Sequence, residues 1–433
     1  MRQGTPHMDD RSLRKLLDSV LVGRPPMGPV VRNAVRAGIK ARRRRRRQRM
    51  AGGAVAVAVI AVTVPAVTGM LRNAPAGPPE GVRRAGHAPT VYVADLNGLG
   101  NTVTPISTAT KTAGKPITVW RRGGAPAAMA ITPDGKTVYV ANLGGAEVTP
   151  ISTATKTPRR PIKVGQHPIA IAITPNGKTA YVVNSDSGSV TPIDTATNTA
   201  GIAIKTGATG GAQVVAIAIT PDGKTAYAAN GGRGDDTVVP ITTATNTAGK
   251  PITVQGYPTA IAITPNGKTA YVLSQVATDA GAVTPITTTT NTAGKPITVQ
   301  GSPSAIAITP NGKTVYATGF SGTVTPISAA TNTAGKPIKT RSAGAMAITP
   351  DGKTIYVLNP RSGTVTPIST ATNTARKPIK TGHFPFAIAI APDGKTAYVI
   401  NQFSSVTPIS TATNTPGKPI KAGNGPYAIV IAP

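Results

Sequence analysis

Residues 387–421 read AIAIAPDGKTAYVINQFSSVTPISTATNTPGKPIK, and this stretch decides the fold. It contains an Ala/Ile run, a Pro-Asp-Gly-Lys turn, a run built on Tyr398, a VTPI run, a Thr/Ala/Asn loop and a closing KPI. Short β-branched runs separated by turn residues read as four strands. Asp or Asn followed by Gly suits the first turn, because a tight hairpin demands positive φ. The unit echoes along the chain. Its tyrosine recurs at Tyr92, Tyr139, Tyr181, Tyr227, Tyr271, Tyr316, Tyr356 and Tyr398, at spacings of 40 to 47 residues. A period in the forties with several strands per unit is the signature of a β-propeller.

The phase of the echo adds closure. The repeat opens on a second strand at Tyr92 and ends on a first strand at 428–431. The C-terminus therefore supplies the innermost strand of the first blade. Counting strands predicts an all-β, eight-bladed propeller of four-stranded blades, closed by pairing of its N- and C-terminal strands; seven blades is the alternative. One feature resists. Each third strand carries a proline (Pro105, Pro150, Pro192, Pro240, Pro285, Pro326, Pro367, Pro408) where an interior strand would lose a ladder hydrogen bond. The expectation is that each proline nitrogen faces a place where the fourth strand is short or peeled away.

Composition narrows the chemistry. Without Cys, no disulfide, zinc-thiolate site or Cys nucleophile can form, and four His leave little for a His-based metal centre. The net charge of +31 has two sources: residues 1–71 carry 15 Lys and Arg against three Asp, and the remainder carries 31 against 12 acidic residues.

The N-terminal part reads as an anchor. Residues 51–71 (AGGAVAVAVIAVTVPAVTGML) carry no charge and follow a run of arginines from Arg42. About 20 apolar residues span a bilayer, and a basic flank holds its end in the cytoplasm. We read 1–50 as a cytoplasmic basic segment, 51–71 as an uncleaved transmembrane signal-anchor, 72–89 as a Pro/Gly-rich linker and 90–433 as the propeller, outside the cell membrane. A cleaved signal peptide is the competing reading, since Ala74-Pro75-Ala76 resembles a cleavage site. Nucleic-acid binding by the basic arm is disfavoured because a span follows at once. Residues 9–22 place Leu13, Leu16, Leu17, Val20 and Leu21 on one helical face. That helix is free to dock a partner, lie on the inner leaflet or do neither.

Tyr181-Val182-Val183-Asn184, with Tyr139 to Asn142, Tyr356 to Asn359 and Tyr398 to Asn401, resembles the repeat of the YVTN-repeat (YncE-like, surface-layer-type) propeller family. The run Val190 to Thr199 resembles that family's third strand and following loop. The resemblance covers about residues 90–433. It implies an extracytoplasmic propeller, related in fold to lactonase-like and quinoprotein-like propellers, and no single activity. The chain departs from the pattern at Ser274, at Gly319 and at the third-strand prolines.

The loops divide between two faces. The hairpin face repeats PDGKT or PNGKT with a lysine each time (Lys136, Lys178, Lys224, Lys268, Lys313, Lys353, Lys395). Lys115, Lys250, Lys295, Lys336, Lys377 and Lys418 are expected on the same face. The bland reading is solubility; the functional one is attraction to anionic polymers. The opposite face is irregular and collects the remaining aromatics. Trp120, Arg121, Tyr257, Phe320, Phe384, Phe386, Phe403 and Tyr427 form the candidate ligand-binding face, aromatic and Arg residues being frequent binding hot spots. Packing of blade against blade is the equal alternative. Asp235-Asp236, His167 and His383 are the candidates for acid/base or metal chemistry, and sequence shows no carboxylate partner for either His. No catalytic, cofactor or metal constellation is read, and no cofactor is expected. The primary expectation is a membrane-anchored, monomeric binding or scaffold propeller for a protein or an anionic cell-envelope polymer. The alternatives are a lactonase-like or lyase-like enzyme and an envelope sensor signalling through the N-terminal segment.

Overall fold

The computed structural model describes residues 89–96, 101–119, 125–208, 213–232, 236–402 and 405–432. The expected cytoplasmic segment, the span 51–71 and the linker up to residue 88 fall outside them. Among the described residues no helix is long and apolar enough to cross a membrane.

The Pro-Asp/Asn-Gly-Lys segment makes its hairpin by a specific division of labour. Asp134 Oδ1 accepts the Thr132 hydroxyl at 2.6 Å and the Lys136 backbone N–H at 3.0 Å. Asn176 does the same for Thr174 and Lys178. The positive φ falls on the glycine alone, 71° at Gly135 and 72° at Gly177, where any Cβ is disfavoured. The hairpin joins an inner strand to the tyrosine strand, and that strand turns back into the VTPI strand. In the third unit these are Pro168–Ile173, Thr179–Asn184 and Ser189–Asp194, paired antiparallel.

Eight such units form eight four-stranded blades of an all-β propeller. The inner strands are Pro126–Ile131, Pro168–Ile173, Gln213–Ile219, Tyr257–Ile263, Pro303–Ile308, Met346–Ile348, Pro385–Ile390 and Pro426–Ala432. The last of these pairs with Thr90–Asp95, in register Thr90 with Ala432 and Val93 with Ile429. It completes blade 1, and the other seven inner strands open blades 2 to 8 in order. Val91, Val93, Ile429 and Ile431 belong to one buried cluster with residues of blades 2 and 8. The closing strand is thus packed on both sides.

The third-strand prolines behave as expected. In blade 3 the outer strand is two fragments, Thr199–Ala200 and Ile204–Lys205. The first pairs with Ile193 and Asp194, the second with Ser189 and Val190, and neither pairs with Pro192. The chain bows out between them, and only the Pro192 carbonyl is used, accepting the Gly201 N–H at 2.8 Å. A proline there forfeits no ladder bond. The bow corrects one expectation. Lys115, Lys250, Lys295, Lys336, Lys377 and Lys418 sit in this gap, on the outer rim rather than on the hairpin face, and all are exposed. Lys and Pro along an open edge block strand addition by another chain. Blade 3 breaks the belt with Ile202, 91% exposed.

The eight repeat tyrosines are fully buried. Six of them tie blade to blade. The hydroxyls of Tyr139, Tyr181, Tyr227, Tyr271, Tyr316 and Tyr356 donate to Asn198, Asn246, Asn291, Asn332, Asn373 and Asn414 Oδ1 of the following blade, at 2.6 to 2.8 Å. Each Asn holds a positive φ near 55° that Asn tolerates well. In blades 1 and 2 that loop position is Lys111 and Lys156, at the same φ. Tyr92 accordingly reaches only the Thr153 carbonyl, at 3.4 Å. Lys156→Asn should install the missing latch and add about 1 kcal/mol, read as a higher melting temperature. An unchanged or lower value would show that the latch adds nothing net.

Candidate functional site

Seven inner strands share a β-bulge near their first residue, on the face opposite the hairpins. A bulge leaves one residue out of the ladder and re-aims its side chain. The bulged residues are Ala127, Ile169, Val215, Thr259, Ser304, Phe386 and Tyr427. Blade 7, with its shorter inner strand, carries Gly344 in line with them. Six blades thus present small or aliphatic residues there, and two neighbouring blades present rings.

Those rings meet. Phe386 of blade 8 and Tyr427 of blade 1 lie with centroids 4.9 Å apart and planes tilted by 33°. Both are half-buried against the core cluster that closes the ring. Burial pushes the Tyr427 phenol up to about 12, so it stays neutral. Phe384, two residues before Phe386, is 43% exposed. Its φ of +51° puts a bulky side chain in the left-handed region, although Pro385 follows. Such strain persists only where the surroundings enforce it, and it concentrates at functional sites.

The equivalent position in blade 3 is the other such outlier before an inner-strand proline. His167 has a φ of +58°, and its Nδ1 lies 2.7 Å from Asp186 Oδ2. Gln213 of blade 4 donates to Asp186 Oδ1 at 3.0 Å. Sequence reading found no carboxylate for His167. The structure supplies one from the second-to-third loop of the same blade. Ser185 N–H donating to the His167 carbonyl at 3.0 Å holds the two loops together. His383 is exposed and apart from this pair. Among the described residues no three His, Asp or Glu cluster to hold a metal ion.

The other candidates do not join the aromatic pair. The Tyr257 ring, 37% exposed, lies over Gly231 of the preceding blade, where an added Cβ would come within 3.0 Å of its Cζ. Phe320, 38% exposed, stands on the second-to-third turn of blade 6. Trp120, Arg121, Phe403 and Asp235 lie outside the described residues. A groove of about 960 Å³ runs between the outer edges of blades 1 and 2. Its wall includes Glu147, which pairs with Lys163 at 2.5 Å.

No family model matches the chain, and no curated protein matches it. Solved structures do. Hydrazine synthase of Kuenenia stuttgartiensis matches at 25% identity and a TM-score of 0.56, over 66% of this chain and 96% of that one. Dihydro-heme d1 dehydrogenase NirN, in complex with DHE, matches at 15% identity and a TM-score of 0.68, over 82% and 77%. A putative 6-phosphogluconolactonase of Bacteroides fragilis matches at 20% identity and a TM-score of 0.54, over 82% and 100%. The likeness is to the propeller fold.

Proposed function

We propose that this chain is a membrane-anchored, extracytoplasmic binding propeller of the YVTN-repeat kind, and that it engages a protein or a cell-envelope polymer through its variable face. The observation that carries the reading is the break in the repeat at the bulge ring. Phe386 and Tyr427 stack on neighbouring blades, beside the strained and exposed Phe384. An aromatic platform at the mouth of a propeller suits a ligand with apolar or ring faces. Repetition accounts for the scaffold, and the platform is where repetition stops.

A second reading is an enzyme of the lactonase-like or lyase-like kind. The His167–Asp186 pair favours it, since a carboxylate that orients an imidazole is part of a general base. One panel separates the two. The full chain in lipid nanodiscs is screened by surface plasmon resonance against cell-envelope polymers and secreted proteins, and assayed for lactone hydrolysis. The binding reading expects Phe384→Ala and Tyr427→Ala each to weaken a hit roughly 30-fold, with Tyr427→Phe and His167→Asn near wild type. Turnover that His167→Asn abolishes would replace binding by catalysis. Hits insensitive to both alanine substitutions would remove the platform.

A further inference from the structure

We propose that the hairpin face lies on the anionic headgroups of the bilayer that holds the chain, which leaves the variable face pointing outward to its partner. This rests on residues 51–71 being a membrane anchor.

The positive excess lies on the hairpin face and the rim beside it. The hairpin face carries nine lysines, the seven of the hairpins with Lys111 and Lys156, against five Asp (Asp134, Asp194, Asp222, Asp351, Asp393), and the rim adds nine further Lys and Arg with no acidic residue. Among the described residues of the variable face and its connections, seven basic residues meet five acidic ones. The lysines of the hairpins are all exposed. Four follow Asp, and two of these lie near it: Lys136 at 3.4 Å from Asp134 and Lys353 at 4.0 Å from Asp351. Lys178, Lys268 and Lys313 follow Asn and have no such neighbour in the turn.

The second observation is where the chain joins the ring. Thr90 begins a second strand, and second strands begin at the hairpin end, as its pairing with Ala432 and Ser107 places it. The chain therefore enters the ring on the lysine face, not the variable one. The variable face lies a strand length away from that entry, about 20 Å. Charge and tether thus turn the same face toward the bilayer. A plane also suits the arrangement, because hairpins of equal length around a ring meet a flat surface together, whereas a linear polyanion follows an arc.

The test is amine labelling of the full chain in nanodiscs of phosphatidylcholine alone or mixed equally with phosphatidylglycerol. The hairpin lysines should react several-fold more slowly in the anionic discs, while Lys339, Lys380 and Lys421 react alike in both. Equal rates throughout, or protection of the variable-face lysines instead, would overturn the proposal. Carbonate washing of the chain in vesicles tests the anchor separately. If the chain washes off, that reading fails, and flotation with phosphatidylglycerol vesicles decides the face. There K178Q/K268Q/K313Q should lower partitioning on the order of 100-fold, at roughly five-fold per lysine; unchanged flotation overturns the proposal. The turn uses the lysine backbone N–H and not the ammonium, so these substitutions spare the fold. Polyphosphate that protects the hairpin lysines when phosphatidylglycerol does not would mean a polymer surface instead.

Discussion

A chain ending at Gly425 should not fold into a ring. Deleting residues 426–433 removes the inner strand of blade 1 and, with it, Ala428, Ile429, Val430, Ile431 and Ala432, all buried. Burying one Ile or Val contributes about 1.5–3 kcal/mol, so the three larger residues alone contribute roughly 5–9. That is comparable to the whole stability of an ordinary domain, about 5–15 kcal/mol. The deletion also bares the ladder edge of Thr90–Asp95 and splits the core cluster that spans blades 8, 1 and 2. The expected result is loss of the cooperative melting transition and an expanded or aggregated species on gel filtration. A permuted chain distinguishes closure from mere length. Joining Pro433 to Thr90 through Asp-Gly-Lys recreates the hairpin of the other seven blades, and new ends can open between residues 119 and 125. That chain should fold. A truncated chain that melts cooperatively at the wild-type temperature would mean the ring does not depend on its closing strand.

Much of the architecture was legible because it repeats. Tyr-x-x-Asn, Pro-Asp/Asn-Gly-Lys and Val-Thr-Pro-Ile recur in fixed order, and each marks a local structure that sequence neighbours suffice to make. Even the third-strand prolines were informative, because a missing donor restricts what can lie opposite. The position of Lys250 and its counterparts was not legible, since it depends on how far the outer strand bows. The tyrosine latch was half visible. Asn198, Asn246, Asn291, Asn332, Asn373 and Asn414 repeat with the tyrosines, but the partner is one blade on, some 57 to 65 residues away. The Lys at 111 and 156 was the available signal that this loop position has a job.

The site was less legible because its geometry comes from departures. Phe386 and Tyr427 are 41 residues apart in sequence, and nothing local says that a bulge turns each ring toward the other. His167 and Asp186 meet because the connection before blade 3 folds over its second-to-third loop. Positive φ at His167 and Phe384 is a property of chain path that residue type argues against. Repetition specifies a scaffold through many equivalent contacts, while a site rests on a few residues whose placement the scaffold decides.

The same buried tyrosines should make the ring unusually sensitive to alkali. Burial pushes the phenols of Tyr139, Tyr181, Tyr227, Tyr316 and Tyr356 up to about 12, and it raises Tyr92, Tyr271 and Tyr398 in the same direction. In the unfolded chain a tyrosine loses its proton near 10. Below pH 10 both states hold it, and the stability is fully present. Between pH 10 and 12 the unfolded chain has released protons that the folded ring retains, so stability falls as pH rises. Each tyrosine contributes a slope of about 1.4 kcal/mol per pH unit. Five together give about 7, enough to exhaust an ordinary domain's stability within one or two pH units. Circular dichroism and the phenolate absorbance should therefore change together, in one steep transition between pH 10 and 12. Tyr→Phe at these positions should cross over. Each substitution loses a hydroxyl bond to an Asn and costs about 1 kcal/mol at neutral pH, yet the multiple variant should outlast the wild type at pH 11. Tyrosines that ionise near 10 while the fold persists would mean the ring opens locally to let them ionise, and that the blade junctions are looser than their packing implies.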